Sequence, residues 1–167
     1  MTKIKEQIID LWVSSQARYR EMSHAEVRTC ADAKAERGDA IGIGTKSILL
    51  KSPADFFILA INSEQRIDFK RLRKVLSIHK CRFASPDEML ALTGLRPGSM
   101  PPFGKPIFNL PLYADQSIFR HPTMAFSPGS FSHSIFVQTT DYIEIARPIR
   151  IDLSESGPPK NRRSEDM

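Results

Sequence analysis

Short apolar runs, divided by prolines, glycines and small polar residues, set the rhythm of this chain and predict many short strands with helices between them. Residues 4–20 hold Ile8, Ile9, Leu11, Trp12 and Val13 among charged neighbours, a pattern that predicts a first helix with one side on the core. Residues 19–24 read as a short extended segment leading to a turn, and residues 29–37 have helical composition ending at Gly38. The runs 46–51 and 55–61, separated by Ser52-Pro53-Ala54, have the spacing of an antiparallel hairpin. Asp68 caps a helix through Leu72, Val75 and Leu76, and residues 82–84 make a short strand. Ser85-Pro86-Asp87-Glu88 joins a serine cap to a proline at the first helical position and a glutamate at the third, with Gly94 closing the helix. Residues 107–114, 123–126 and 134–138 follow as strands. Thr139-Thr140-Asp141 then caps a last helix, residues 142–146, that Pro148 ends. The order implies one mixed α/β domain around a curved, largely antiparallel sheet, over residues 1–151, with a polar and flexible tail at 152–167.

Composition narrows the class. A chain of 167 residues with 41% hydrophobic and 26% charged residues buries a core without staples. Cys30 and Cys81 stand alone, so neither a disulfide framework nor a zinc site is expected, and no metal or cofactor motif is present. The start lacks the apolar stretch of a signal peptide, and no apolar run is long enough to span a bilayer, which predicts a cytoplasmic protein without a membrane partner. The net charge of +5 is concentrated. Residues 66–82 carry seven basic side chains (Arg66, Lys70, Arg71, Arg73, Lys74, Lys80, Arg82) against Asp68 alone, which suits either a polyanionic partner or a solvated helix face.

Two stretches carry candidate chemistry. Lys46 follows Gly42 and Gly44 and precedes Ile48-Leu49-Leu50, which puts an ammonium where flexible backbone enters the sheet: a ligand-binding cation, or a lysine marking a strand end. Residues 93–104 contain three glycines and three prolines, a rigid surface loop in which the amides of Gly98, Ser99 and Gly104 can meet an ester carbonyl or a phosphate oxygen. His24 and His133 are candidate acids or bases, though lone loop histidines more often bond the backbone. Gly42-x-Gly44 precedes a strand and is no nucleotide fingerprint. There is no Gly-x-Ser-x-Gly elbow and no metal-ligand spacing.

Ser23-His24, Arg37-Gly38, Gly44-Thr45-Lys46-Ser47, Arg82-Phe83-Ala84-Ser85, Leu92-Thr93-Gly94, Pro97-Gly98-Ser99-Met100-Pro101-Pro102-Phe103-Gly104, Asp115 and Ala125-Phe126-Ser127-Pro128-Gly129-Ser130 occur in this order. In that order they resemble the YbaK/prolyl-tRNA synthetase-associated domain family, and Thr139-Thr140-Asp141-Tyr142 with Arg147-Pro148 is most similar to its freestanding YeaK-type branch. The resemblance implies an aminoacyl-tRNA deacylase that hydrolyses the ester joining a wrong amino acid to the terminal ribose of tRNA, with the neighbouring ribose hydroxyl helping to activate water. The alternative is a non-catalytic module that binds aminoacyl-tRNA or docks on a synthetase. It further implies catalytic roles for Lys46, Gly98, Ser99 and Gly129, and substrate contacts from His24, Pro102, Phe103, Asp115, Ser130 and His133. Lys70, Arg71, Arg73 and Lys74 would follow the tRNA backbone. The implied partners are mischarged tRNA and an aminoacyl-tRNA synthetase, with no cofactor, no metal and no DNA.

Overall fold

The structure, a computed structural model, describes residues 3–26 and 43–153. Along the chain run α1 (Lys3–Ser14), β1 (Tyr19–Ser23), β2 (Ile43–Lys51), β3 (Phe56–Asn62), α2 (Phe69–Leu76), β4 (Arg82–Phe83) and α3 (Pro86–Thr93). They continue with β5 (Leu112–Asp115), α4 (Gln116–Phe119), β6 (Thr123–Phe126), β7 (His133–Gln138), α5 (Thr139–Ala146) and β8 (Ile149–Ile151). The eight strands form one mixed sheet in the order β1-β7-β6-β2-β3-β5-β8, with β4 beside β2. Four pairings are antiparallel, including the expected β2–β3 hairpin, and β2–β6, β3–β5 and β5–β8 are parallel.

Successive side chains of a strand face opposite ways, so the unbroken apolar runs of β2 and β3 supply cores on both faces of the sheet. Leu49, Ile58 and Ala60 join Ile8 and Trp12 of α1, Phe103, Met124 and Tyr142 on one side. Leu50, Leu59 and Ile61 join Leu72 of α2 and Ile151 on the other. Lys5, itself buried, pairs with Glu21 and ties α1 to β1. α1 ends well before the predicted residue 20. Gln16 turns back at φ 55° and the Ala17 N–H donates to the Trp12 carbonyl at 3.0 Å, which closes the helix and frees the chain for β1.

The helix starts follow local chemistry. Asp68 accepts the Arg71 N–H at 3.0 Å, and Ser85 and Glu88 exchange the two bonds of a capping box. Other expectations change. The helix expected over 29–37 lies outside the described residues. Within 107–114, only the end is strand, because β5 begins at Leu112. Thr139 is the first residue of α5 and donates its hydroxyl to the His121 carbonyl at 2.6 Å, so it caps nothing, and Gln138 is the N-cap. β8 and α4 were not expected. Leu153, just past β8, is buried, and its N–H donates to Asp115 at 2.8 Å.

The proline-glycine loop is a surface loop only in its first half, where Gly94 and residues 96–98 are exposed. Residues 99–104 are buried, and Phe103 meets Trp12, Phe126 and Tyr142 edge-to-face, at centroid separations of 5.6, 5.5 and 5.7 Å. The Tyr142 hydroxyl donates to the Pro102 carbonyl at 2.7 Å, and burial pushes that phenol's pKa upward, so it stays a donor. Tyr142→Phe should strand a buried carbonyl and cost roughly 1–3 kcal/mol, lowering the urea midpoint with the slope unchanged.

Arg82 grips Glu88 with both arms, at 2.7 and 3.1 Å, and together with the Ser85 amide holds that carboxyl down at about 2 from 4.5. A depressed carboxyl stabilises the fold above its unfolded pKa, and the contribution disappears as pH falls through the folded value. The melting temperature of the native protein should therefore exceed that of Glu88→Gln at neutral pH, and the gap should close between pH 4.5 and about 2. An unchanged gap across that window would contradict the assignment.

Candidate functional site

β2 has two different neighbours on the edge away from β3. β6 pairs with it at Ile43 and Gly44, and β4 pairs with it at Leu50 and Lys51. One runs parallel and the other antiparallel, and among the described residues no strand lies beside the stretch between them. A cavity of about 340 Å³ opens there, within the roughly 300–1,000 Å³ usual for small-molecule sites. Ser47, Ile48 and Leu49 of β2 form one wall, and Phe83, Met89 and Gly98 contribute to the others.

Lys46 is half-buried opposite Ile61 and shares its side of the strand with Ile48, roughly 7 Å further along. Lys46 thus sits one residue before the cavity wall, its side chain on the opposite face of the strand from those of Ser47 and Leu49, and among the described residues it has no hydrogen-bond or ion-pair partner. Gly98 turns the loop at φ 94°, a conformation that favours glycine, and its amide has no acceptor among the described residues. Ser99 behaves differently. Its N–H and its hydroxyl both donate to the Arg96 carbonyl, at 3.2 and 2.8 Å, so its donors are spent shaping the turn and it offers the substrate no amide. Gly104 is buried beyond the cavity wall, its carbonyl accepting the Phe108 N–H.

The two glycine-bearing turns do meet. A Cβ on Gly129, at φ 87°, would lie 3.3 Å from Leu95 and 3.5 Å from Ile4, so Gly129 is the close-packing point between the second turn, α1 and the start of the first. The Pro102 and Phe103 expectations are corrected. Both are buried, Phe103 fully so among three aromatic rings, and they anchor the loop without reaching a substrate. Asp115 is corrected too. It is 1% exposed and bonds the amides of Ser117 and Leu153, capping α4 and fastening the segment that follows β8.

Two serine–histidine pairs flank the β1–β7 junction. His24 donates from Nδ1 to the Ala25 carbonyl at 2.8 Å, which leaves Nε2 to accept from the buried Ser134 hydroxyl at 2.9 Å. His133 Nδ1 lies 3.0 Å from Ser130 Oγ and 3.2 Å from Ser132 Oγ. None of these side chains is among the cavity's described lining residues. A second hollow of about 350 Å³ lies by Arg18, Tyr19 and Arg20, where the Arg20 guanidinium covers Phe136 at 4.9 Å. It holds none of the expected site residues.

α2 lies on the face of the sheet that Lys46 occupies. It buries Leu72, exposes Lys70 and Lys74, and half-buries Arg71 and Arg73. Arg82 is committed to Glu88. Ser47, Phe83 and Met89 line the cavity without having been expected there; Ser47 and Phe83 stand inside motifs that carry the resemblance, and Met89 has no such signal. Among the described residues, no cluster of three or more His, Cys, Asp or Glu could hold a metal, and no helix is long and apolar enough to cross a membrane.

Residues 24–145 match the model of the Aminoacyl-tRNA editing domain family. The Multifunctional Ser/Thr-tRNA deacylase ProXp-y of Escherichia coli K12 is 32% identical over 150 residues, covering 86% of this chain and 88% of that protein. The crystal structure of a candidate trans-editing enzyme for prolyl tRNA synthetase aligns with a TM-score of 0.76 at 19% identity, over 93% of this chain and 99% of that chain. That second likeness is one of fold.

Proposed function

The chain belongs to the aminoacyl-tRNA editing domain family, and from that premise we propose that the slot beside β2 receives the acylated end of a tRNA wrongly charged with serine or threonine. The protein is a trans-editing hydrolase that deacylates mischarged aminoacyl-tRNA at the ester to the terminal ribose. One observation supports this placement of the site above others. The cavity is lined by Gly98, whose amide has no acceptor among the described residues, and by Ser47, the neighbour of Lys46, while no titratable side chain is found among its described lining residues.

Such a site positions and polarises. Water adds to the ester carbonyl carbon, and the charge that grows on the carbonyl oxygen is met by the Gly98 N–H and the Lys46 ammonium. Collapse breaks the bond to the ribose oxygen, which leaves with the proton given up by the water. With no base on the described walls, that proton travels through the ribose hydroxyl next to the ester. Lys70 and Lys74, with Arg71 and Arg73 behind them, follow the tRNA phosphates. The reaction takes place in the cytoplasm, on tRNA that has left its synthetase. The synthetase to test first for association is the prolyl enzyme named for the structural neighbour.

Release of amino acid from Ala-, Ser-, Thr- and Cys-charged tRNAs is the direct test. Seryl- and threonyl-tRNA should be cleared, and Lys46→Ala should slow that clearance by on the order of 10²-fold or more. An intact panel at protein levels matching the tRNA, or full activity in Lys46→Ala, would remove Lys46 and this cavity from the reaction. For the basic helix, the joint Lys70→Ala and Lys74→Ala variant should weaken tRNA binding and flatten the slope of log K against log salt by about 0.7–0.9 for each phosphate that is no longer neutralised.

A further inference from the structure

The slot in the sheet is a gap in the ladder along β2, between Gly44, where β6 stops pairing, and the Leu49 carbonyl, which bonds Ala84. The Ser63 N–H donates to the Gly44 carbonyl at 2.8 Å, which makes Gly44 a residue whose polar groups bond toward β3. Alternation assigns the same direction to Lys46, Ile48 and Leu50. Residues between them turn their N–H and C=O to the opposite edge, as Leu49 shows by accepting the Ala84 N–H at 2.9 Å. Ser47 therefore aims both main-chain groups into the cavity it lines. No described strand pairs with β2 at Ser47, because β6 stops pairing at Gly44 and β4 begins at Leu50. The Ser47 hydroxyl is buried with no partner, since its cross-strand neighbour is Ala60. Natural proteins rarely leave so much hydrogen-bonding capacity idle at one residue.

We infer that the aminoacyl group of the substrate docks as the absent residue opposite Ser47, its α-ammonium donating to the Ser47 carbonyl and its ester carbonyl accepting the Ser47 N–H. This rests on the assignment of the slot as the editing site. The geometry is that of a hydrogen-bonded antiparallel pair, in which two residues exchange N–H···O bonds in both directions. A free α-amino acid ester has the same nitrogen, α-carbon and carbonyl in the same order. Directly opposed residues place their side chains on the same face of the sheet. The substrate side chain then lies beside the unpartnered Ser47 hydroxyl, which can donate to or accept from a serine or threonine hydroxyl. The Ser47 N–H becomes a second donor to the developing oxyanion, alongside that of Gly98.

The experiment compares three esters on one tRNA with the native protein: seryl, N-acetylseryl and glyceryl, the last carrying a hydroxyl where serine has its ammonium. Seryl-tRNA should be cleared fastest, with kcat/KM about tenfold or more lower for each analogue. Comparable rates for all three would overturn the docking while leaving the editing site in place. Failure to cleave any of them would instead overturn the editing reading. Ser47→Pro removes the slot-facing N–H without touching the bonds to β3. If its circular dichroism stays native, its kcat on seryl-tRNA should fall by roughly 10²–10³-fold, and an unchanged kcat would also overturn the docking. If that variant does not fold, the ester series decides alone.

Discussion

Phe103 sits between three aromatic rings with none of its surface exposed, and the whole site depends on its being held there. Trp12 comes from α1, Phe126 from β6 and Tyr142 from α5, so one side chain of an irregular loop is clamped by three elements distant in the chain. Each edge-to-face pair contributes about 0.5–1.5 kcal/mol beyond area burial. The Tyr142 hydroxyl adds a directed bond to the preceding carbonyl. Prolines restrict the intervening backbone further, since their φ is preset. Gly98 is thereby carried to the cavity on a segment whose far end cannot move independently of the core.

The cavity itself comes from a gap between neighbours. β2 is the longest described strand and serves four roles: hairpin partner of β3, parallel neighbour of β6, antiparallel neighbour of β4, and supplier of both cores. β6 leaves this edge after Gly44 and β4 joins it only at Leu50, which leaves the stretch between them without a described neighbour. Backbone groups facing that stretch need another partner, since buried N–H and C=O groups are almost always bonded to protein or water. Lys46 precedes that opening by one residue and lies on the face of the sheet that α2 covers.

The chemistry is correspondingly sparse in side chains. The histidines near the junction of β1 and β7 are tied to serines and backbone carbonyls, and the acidic side chain expected at the site, Asp115, turns out to fasten the fold. An ester of an amino acid is already activated, so position and electrostatic stabilisation are what a protein must add. Membership of the editing family and the absence of titratable groups among the described walls fit one another in that respect.

Local signals are legible in the chain wherever the deciding neighbours are close in sequence. The capping box at Ser85, the Asp68 cap, the turn between β2 and β3 and the Lys46 strand all follow from residues a few positions apart. The order of motifs also points to the family. Burial of residues 99–104 is not readable there, because glycines and prolines announce a turn and say nothing about which rings will enclose it. The resemblance implies substrate contacts for Phe103 and Asp115, and their residue types cannot correct it, because an aromatic ring or a carboxylate has one appearance whether it faces a ligand or a core. Ser47 gives no signal of its own because its importance lies in which strands fail to lie beside it. Register and strand order are properties of pairings tens of residues apart, and tertiary structure alone decides them.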